Sequence, residues 1–305
     1  MKETNEKDLV MKKVVAVVGT TASGKSDLGL LLAKHYHGEI VSADSRQIYK
    51  GLDLGTGKET PEELASVPHH LIDILSPNEP YSVADYQRDA YSAIDGILER
   101  EALPFLVGGT GLYLRAVTEG YNLTDVPPDE TFREEMAGKT KEELLEILKS
   151  YGKEETNPSA SPRRLIRRLE MLRQGIDDEI RNKPRYDTLI LGMTYPRDIL
   201  VQRIRERLDR RIELGMVDEV RRLSEEGATD EFLYGLGLEY RYTLLYLRGE
   251  FSGFNEYHEK LFTAIRQFSK RQMTWFRKEK NVHWLDVQND VFEEAKKEID
   301  SFLKQ

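Results

Sequence analysis

The chain has 305 residues, of which 39% are hydrophobic and 32% are charged, and its net charge is −9. This length exceeds that of a usual single domain, so we expect an α/β core that carries an insertion, or two domains. The sequence contains no apolar run long enough to span a bilayer and no apolar signal segment, so we expect a cytoplasmic protein without a membrane partner. The absence of cysteine excludes disulfide bonds, thiolate zinc sites and a cysteine nucleophile.

Short apolar runs rich in β-branched residues predict six strands. These runs are residues 13–18, 39–43, 70–75, 104–107, 188–193 and 282–286. Helical patterns, such as those of residues 26–36 and 82–100, lie between most of them. Because strands that alternate with helices favour a parallel sheet with right-handed crossovers, we predict a doubly wound α/β core.

The alternation of strands and helices stops after Leu114, and the next clear strand begins near Thr188. The residues between them have mostly helical patterns, and this stretch is too long to be a loop inside a compact core. We therefore predict a core formed by residues 1–118 and 186–305, with a mainly helical insertion domain at residues 119–185.

A glycine-rich run lies between the first predicted strand and the first predicted helix. It reads Gly19-Thr20-Thr21-Ala22-Ser23-Gly24-Lys25-Ser26. A phosphate-binding loop needs glycines so that backbone N–H groups converge on oxyanions, a lysine for charge and a hydroxyl for Mg²⁺. The run supplies all three, at the start of a helix whose dipole also favours an anion. We predict a P-loop NTPase-like core in which these eight residues bind a diphosphate or nucleotide and Ser26 binds Mg²⁺.

Most loops of this kind hold ATP, so a nucleotide kinase or ATPase is one alternative. Such enzymes also place a second acidic residue for Mg²⁺ at a strand end, whereas residues 104–107 are followed by Gly108-Gly109-Thr110-Gly111. The acid that does follow a predicted strand is Asp44. Because parallel strands open at their carboxyl ends into one crevice, we expect Asp44 to face the phosphate loop.

The middle of the chain is basic. Residues 160–222 contain more Lys and Arg than Asp and Glu, whereas residues 1–159 are acidic. Arg163, Arg164, Arg167 and Arg168 follow one another at i, i+1, i+4 and i+5 of a predicted helix, which would direct four positive charges to one side. Such a face fits the phosphates of an RNA, although a solvated helix face is the alternative.

Five runs, in order along nearly the whole chain, resemble those of the tRNA dimethylallyltransferases, also called tRNA isopentenyltransferases. They are GTTASGKS at 19–26, DSRQIYKGLDLGTGK at 44–58, GGTGLYL at 108–114, SPRRLIR at 161–167 and KRQMTWFR at 270–277. The second run is far more specific than the phosphate loop. The chain departs from the family at Gly19-Thr20-Thr21, where Gly-Pro-Thr is frequent, and at residues 234–242.

The resemblance implies transfer of a dimethylallyl group from dimethylallyl diphosphate to the exocyclic N6 amine of adenosine 37, which follows the anticodon, with release of diphosphate. It implies that an inserted helical domain grips the tRNA anticodon stem-loop. Asp44 would be the base, although a helix cap or a Mg²⁺ ligand is the alternative. Thr110 would orient the substrate unless it serves only the turn, and Arg207 would lie near the active site unless it is solvated surface.

We therefore predict Asp44, Lys25, Thr110 and Arg207 as catalytic residues, with Lys25 and Mg²⁺ neutralising the diphosphate. The predicted tRNA-binding residues are Asp44, Ser45, Arg46, Gln47, Thr110, Arg133, Arg163, Arg164 and Arg167. We expect Trp275 and Phe276 to pack in the core and not in the site, and we expect a monomer. Two further alternatives remain: an isopentenyltransferase that acts on free AMP, and an RNA-binding module with a vestigial loop.

Overall fold

The computed structural model describes residues 11–123, 128–157, 160–176, 182–279 and 281–305. The chain divides into two compact units. Met1–Gly120 and Pro184–Gln305 form the first unit, and Tyr121–Lys183 form the second. The second unit falls within the predicted insertion of residues 119–185.

The first unit is built on a sheet of six parallel strands in the order β3-β2-β4-β1-β5-β6. The strands are β1 Lys13–Val18, β2 Glu39–Ser42, β3 His69–His70, β4 Pro104–Gly108, β5 Asp187–Thr194 and β6 Val282–Asp286. Strand β1 lies inside the sheet and is almost wholly buried, as its continuous apolar sequence predicts for a strand covered on both faces.

The helices follow in chain order. They are α1 Lys25–His35, α2 Pro61–Ser66, α3 Val83–Glu99, α4 Gly111–Arg115, α5 Glu130–Ala137, α6 Lys141–Ser150, α7 Pro162–Arg173, α8 Arg197–Glu213, α9 Met216–Glu225, α10 Asp230–Gly235, α11 Leu238–Leu247, α12 Phe254–Phe276 and α13 Val291–Lys304. A π-helical turn, Ala116–Gly120, continues α4. Helices α5 to α7 belong to the second unit and the others to the first.

Helices cover both faces of the sheet. Val15 and Val17 point to one face and pack in a cluster with residues of α1 and α13. Val14 and Ala16 point to the opposite face and pack with residues of α3 and α4. This alternation follows from the two-residue period of a strand, and it confirms the predicted α/β core with helices on both sides of a parallel sheet.

The predicted strand at residues 70–75 is wrong in its length, because β3 ends at His70. Leu71 and Asp73 have φ angles of 62° and 54°, which break the extended backbone. The Asp73 N–H instead donates to the carbonyl of Gln47 at 3.1 Å, so this segment folds beside the chain that follows β2.

The second unit has its own small core, formed by Phe132, Leu144, Leu148, Leu165 and Leu169. Each of its helices begins at a side-chain cap, and Asp129, Thr140 and Ser161 provide these caps. The regular secondary structure in the described part of this unit is therefore helical. In the described parts of both units, no helix is both long enough and apolar enough to cross a membrane.

A buried carboxylate holds the segment that follows β2 in the first unit. Glu219 on α9, only 6% exposed, accepts hydrogen bonds from the N–H groups of Asp53, Leu54 and Gly55 at 2.7 to 3.0 Å. It also accepts one from the Tyr240 hydroxyl at 2.8 Å. Four donors therefore depend on one side chain.

We expect Glu219→Ala to lower the free energy of unfolding by about 3 kcal/mol, because three backbone donors would lose their acceptor. Urea unfolding of the purified protein measures this loss. The control is Glu226→Ala, whose carboxylate pairs with Arg222 at the surface and contributes less than about 1 kcal/mol. Equal losses in the two variants would contradict the prediction.

Candidate active site

The phosphate loop connects β1 to α1 and closes tightly on itself. The Ser23 N–H donates to the carbonyl of Thr20 at 3.2 Å, and a Cβ on Gly19 would overlap the Ser23 hydroxyl. Gly24, at φ 76°, precedes α1 and provides no side-chain cap. The first N–H groups of α1 are therefore left without a side-chain partner, which is the arrangement that binds an oxyanion.

A cleft of about 1190 Å³ lies at the carboxyl end of the sheet in the first unit. The predicted site residues that line it are Thr21, Ala22, Gly24, Lys25, Ser26, Asp44, Ser45, Arg46, Gln47, Thr110 and Arg207. Gly19, Thr20 and Ser23 form the buried backbone of the loop. The loop, the segment after β2 and the turn after β4 thus meet where parallel strands end.

Lys25 lies among charges of both signs. Burial in the cleft and, to a smaller extent, the positive charge of Arg207 lower the pKa of its ammonium, which comes to about 8. The carboxylates of Asp44 and Glu59 oppose these effects. An anionic ligand would supply the negative charge that favours the protonated form of Lys25.

Asp44 is held by the chain that follows it and by the turn after β4. Its Oδ1 accepts the N–H of Arg46 at 3.0 Å. The Thr110 hydroxyl accepts the N–H of Ser45 at 3.1 Å, and the Thr110 N–H donates to the carbonyl of Ala43 at 3.1 Å. Thr110 therefore fixes the backbone on both sides of Asp44, a contact with the protein that differs from the substrate contact the resemblance implies.

Three arginines of α8 approach the cleft at intervals of one helical turn. The Arg203 Nε donates to the carbonyl of Ala22 in the phosphate loop at 2.9 Å. Arg207 and Arg211 pack against Gly57, where a Cβ would overlap both guanidinium groups. Burial lowers the pKa of Arg207, and burial together with the nearby charge of Arg207 lowers the pKa of Arg211 to about 10.

One buried carboxylate serves two of the cations around the cleft. Glu239 on α11 is 5% exposed, and its oxygens lie 3.0 Å from Arg46 Nη1 and 3.5 Å from Arg211 Nη1. The Arg211 Nη2, in contrast, is buried without a hydrogen-bond partner. Cationic groups therefore outnumber the carboxylates that pair with them here. Sequence reasoning missed Arg203, Arg211 and Glu239, because no local pattern marks residues brought in from other helices.

Gln47 is 7% exposed, and its amide is used within the protein. Its Oε1 accepts from the Ser42 hydroxyl at 3.0 Å, and its Nε2 donates to the Gly57 carbonyl at 3.3 Å. These bonds use one of the two donors of the amide nitrogen and one of the two lone pairs of its oxygen, so the predicted contact with RNA stays a prediction.

Trp275 and Phe276 both line the cleft, although the sequence leads us to expect them to pack in the core and not in the site. Phe276 is 2% exposed and belongs to the core cluster, as predicted. The Trp275 ring packs over Gly111, where a Cβ would lie 2.6 Å from it, and Arg115 stacks on the ring at 4.6 Å. The aromatic side chains at the end of α12 thus pack against the core and also line the cleft.

The remaining predicted tRNA-binding residues, Arg133, Arg163, Arg164 and Arg167, lie in the second unit. Arg133 and Arg167 pair there with Glu170, whose side chain is 1% exposed. Arg168 pairs with Glu155 at 3.3 Å. The charges of three predicted surface cations are therefore partly neutralised inside the unit, whereas Arg163 and Arg164 are exposed.

Comparison with known proteins agrees with this arrangement. A sequence profile described as IPP transferase matches residues 47–279, and one described as isopentenyl transferase matches residues 12–74. The chain is 44% identical over 283 residues to tRNA dimethylallyltransferase 2 of Treponema denticola, a match that covers 89% of this chain and 95% of that protein. The chain belongs to the IPP transferase family.

Solved structures of transferases have the same fold. A tRNA isopentenylpyrophosphate transferase from Bacillus halodurans is 38% identical, and the match covers 96% of each chain with a TM-score of 0.72. A eukaryotic dimethylallyltransferase acting on tRNA is 27% identical, with a TM-score of 0.71 over 90% of this chain and 74% of that one. The P-loop NTPase-like core predicted from sequence is thus confirmed.

The residues around the loop fit a Mg²⁺ ion bound together with a diphosphate. Ser26, the second residue of α1, lines the cleft and offers a hydroxyl oxygen. In the described part of the chain, no three His, Cys, Asp or Glu side chains form a cluster that could hold a metal by themselves. The fit therefore rests on the Ser26 hydroxyl, since proteins often bind Mg²⁺ through few ligands of their own together with substrate phosphates.

Proposed function

We propose that the chain transfers the dimethylallyl group of dimethylallyl diphosphate to the N6 amine of adenosine 37 in the tRNA anticodon loop. The observation that carries this proposal is that Asp44 and the phosphate loop, with Lys25, line one cleft in a chain of the IPP transferase family. The curated relatives are tRNA dimethylallyltransferases, which favours tRNA over free AMP as the acceptor and prenyl transfer over a kinase reaction.

In this reaction the adenine N6 attacks C1 of the dimethylallyl group, a nitrogen to carbon bond forms, and the bond from C1 to the diphosphate oxygen breaks. The amine must lose a proton, and Asp44 is the carboxylate at the cleft that could accept it. Thr110 would keep Asp44 in place through the Ser45 N–H and the Ala43 carbonyl.

The departing diphosphate carries the electron pair of the broken bond, so groups that stabilise its negative charge would lower the barrier. Lys25, the N–H groups at the start of α1 and the Arg207 guanidinium lie where they could bind it. Mg²⁺, held by Ser26 and the diphosphate oxygens, would supply further neutralising charge.

A single incubation series tests the proposed reaction. The protein is mixed with labelled dimethylallyl diphosphate and Mg²⁺, and with either tRNA or AMP, and ATP replaces the diphosphate donor in a further sample. We expect label in tRNA at the adenosine that follows the anticodon. Label in AMP but never in tRNA, or ADP formation from ATP without prenyl transfer, would refute the proposal.

We further propose that Arg163 and Arg164 of the second unit contact tRNA phosphates. The double variant Arg163→Gln, Arg164→Gln should bind tRNA more weakly, and the slope of log Kd against log salt should fall by about 1.5, since each phosphate contact contributes about 0.7 to 0.9. Filter binding across a salt series measures the slope. Lys149→Gln, exposed on α6 of the same unit, should leave it unchanged. A normal slope in the double variant would refute this contact.

A further inference from the structure

We infer that Gln272 is a positioning residue that sets the distance between the diphosphate-binding loop and Asp44. Gln272 lies in the last turns of α12 and lines the cleft. Its Oε1 accepts the N–H of Thr21 at 2.9 Å, and its Nε2 donates to the carbonyl of Gly109 at 3.2 Å. One side chain thus connects the phosphate loop to the turn after β4.

The chemistry of this contact requires an amide. The Thr21 N–H can only donate and the Gly109 carbonyl can only accept, so the two partners also fix which amide atom is oxygen and which is nitrogen. A glutamate could not donate to Gly109, and a lysine or arginine could not accept from Thr21. An apolar side chain would leave both backbone groups without this partner.

The bridge lies just beyond the point where the sheet stops holding these segments together. The last paired residues of β1 and β4 are Val18 and Gly108. Beyond them a Cβ on Gly109 would lie 3.1 Å from Gln272 Nε2, and 3.4 Å from both the Gly19 carbonyl and Lys25 Cε. The turn therefore approaches the phosphate loop closely. Beyond the end of the strand pairing, the side chain of Gln272 provides the hydrogen bonds that connect the two segments.

The connection continues to Asp44 through hydrogen bonds of the backbone. Gly109 precedes Thr110, whose hydroxyl accepts the Ser45 N–H and whose own N–H donates to the Ala43 carbonyl. Gln272 and Thr110 thus form one path from the loop that would hold the leaving group to the residue that would take the proton. Because Thr21 N–H is bonded to Gln272, a diphosphate that leaves this bond intact would use other N–H groups of the loop.

This inference rests on the proposed transfer reaction, in which nucleophile and leaving group act on one carbon. A displacement of about 1 Å between such groups can lower a rate by about 100-fold. We expect Gln272→Met, which keeps the length of the side chain and loses both hydrogen bonds, to slow single-turnover transfer by about 10- to 100-fold at saturating dimethylallyl diphosphate. The affinities for inorganic diphosphate and for tRNA should each change by less than about threefold.

Thr274→Ala is the matched control, because Thr274 is exposed on the same turn of α12 and its hydroxyl donates to the helix carbonyl of Lys270. It should transfer at the normal rate. Combining Gln272→Met with Thr110→Val should give a loss smaller than the product of the two single losses, since both break one path. Gln272→Glu, which keeps only the contact with Thr21, should also be slow and provides a second folded variant.

Normal transfer rates in Gln272→Met and Gln272→Glu would contradict the positioning role, and so would a loss of rate that matches a loss of diphosphate affinity. In either case, transfer by the wild-type protein would still support the proposed function. A lower melting temperature with a normal transfer rate would likewise show that Gln272 only stabilises the fold. A wild-type protein that prenylates no tRNA would refute the proposed function and this inference together.

Discussion

Replacing Asp44 with asparagine should lower the single-turnover rate of prenyl transfer by about 10²- to 10⁴-fold, the contribution usual for a general base. Asparagine has nearly the same shape, and its amide oxygen can still accept the N–H of Arg46. It cannot take a proton from the adenine amine. The affinity for tRNA should change by less than about threefold, because a base contributes more to the transition state than to docking. Single-turnover assays and filter binding measure the two quantities.

Asp53→Asn is the matched control for Asp44→Asn. Asp53 also lines the cleft, but its carboxylate pairs with Lys58 at 2.6 Å, so the same charge is removed at a position that is not expected to take the proton. Its rate should remain within about threefold of the wild type. If Asp44→Asn lost tRNA binding but kept a normal single-turnover transfer rate, Asp44 would not be the general base. Recovery of its rate at high Mg²⁺ would assign Asp44 to metal binding instead.

Strand and helix positions in the core are predictable because the signal there is local. The predicted strands at residues 13–18 and 282–286 have the bounds that the structure gives to β1 and β6. Ser82 and Arg100, the ends of a predicted helix, are the N-cap and C-cap of α3. The error at residues 70–75 arises because Leu71 and Asp73 adopt positive φ angles that their side chains do not signal.

The candidate site is predictable only where its residues stand in a motif. The phosphate loop and Asp44 follow strands, so their neighbours can be deduced from the order of a parallel sheet. Glu239, Arg211 and Gln272 come from α11, α8 and α12, and they reach the cleft through packing between distant parts of the chain. A helical glutamate or glutamine looks like any solvated residue until its partners are known.

Residues from distant parts of the chain also change the pKa of the motif lysine from its ordinary value. A P-loop lysine in water would titrate near the ordinary value for an ammonium, about 10.4. Here burial and the nearby Arg207 move the pKa of Lys25 into the physiological range. The charge on which diphosphate binding depends is therefore partly controlled by α8, and it can be tested by changing pH.

The second large effect that we expect is a loss of kcat/KM for dimethylallyl diphosphate as the pH rises through about 8. The free enzyme governs kcat/KM, and its Lys25 has a pKa lowered to about 8 by burial and by Arg207. Below this pH the ammonium is charged and attracts the diphosphate, whereas above it the charge and the attraction are lost. Kinetics between about pH 7 and 10 cover this range and lie above the last ionisation of a phosphate, near 6.

Lys25→Arg identifies the group responsible for the alkaline limb. A guanidinium stays charged throughout this range, so the limb near pH 8 should disappear, even if the altered geometry lowers the plateau. Lys25→Met should lose the limb near 8 together with most of the activity, because no ammonium remains to titrate. A limb that stays near pH 8 in Lys25→Arg would assign the titration to another group. In that case Lys25 could still hold the leaving group, but its titration would not cause the pH dependence of the reaction.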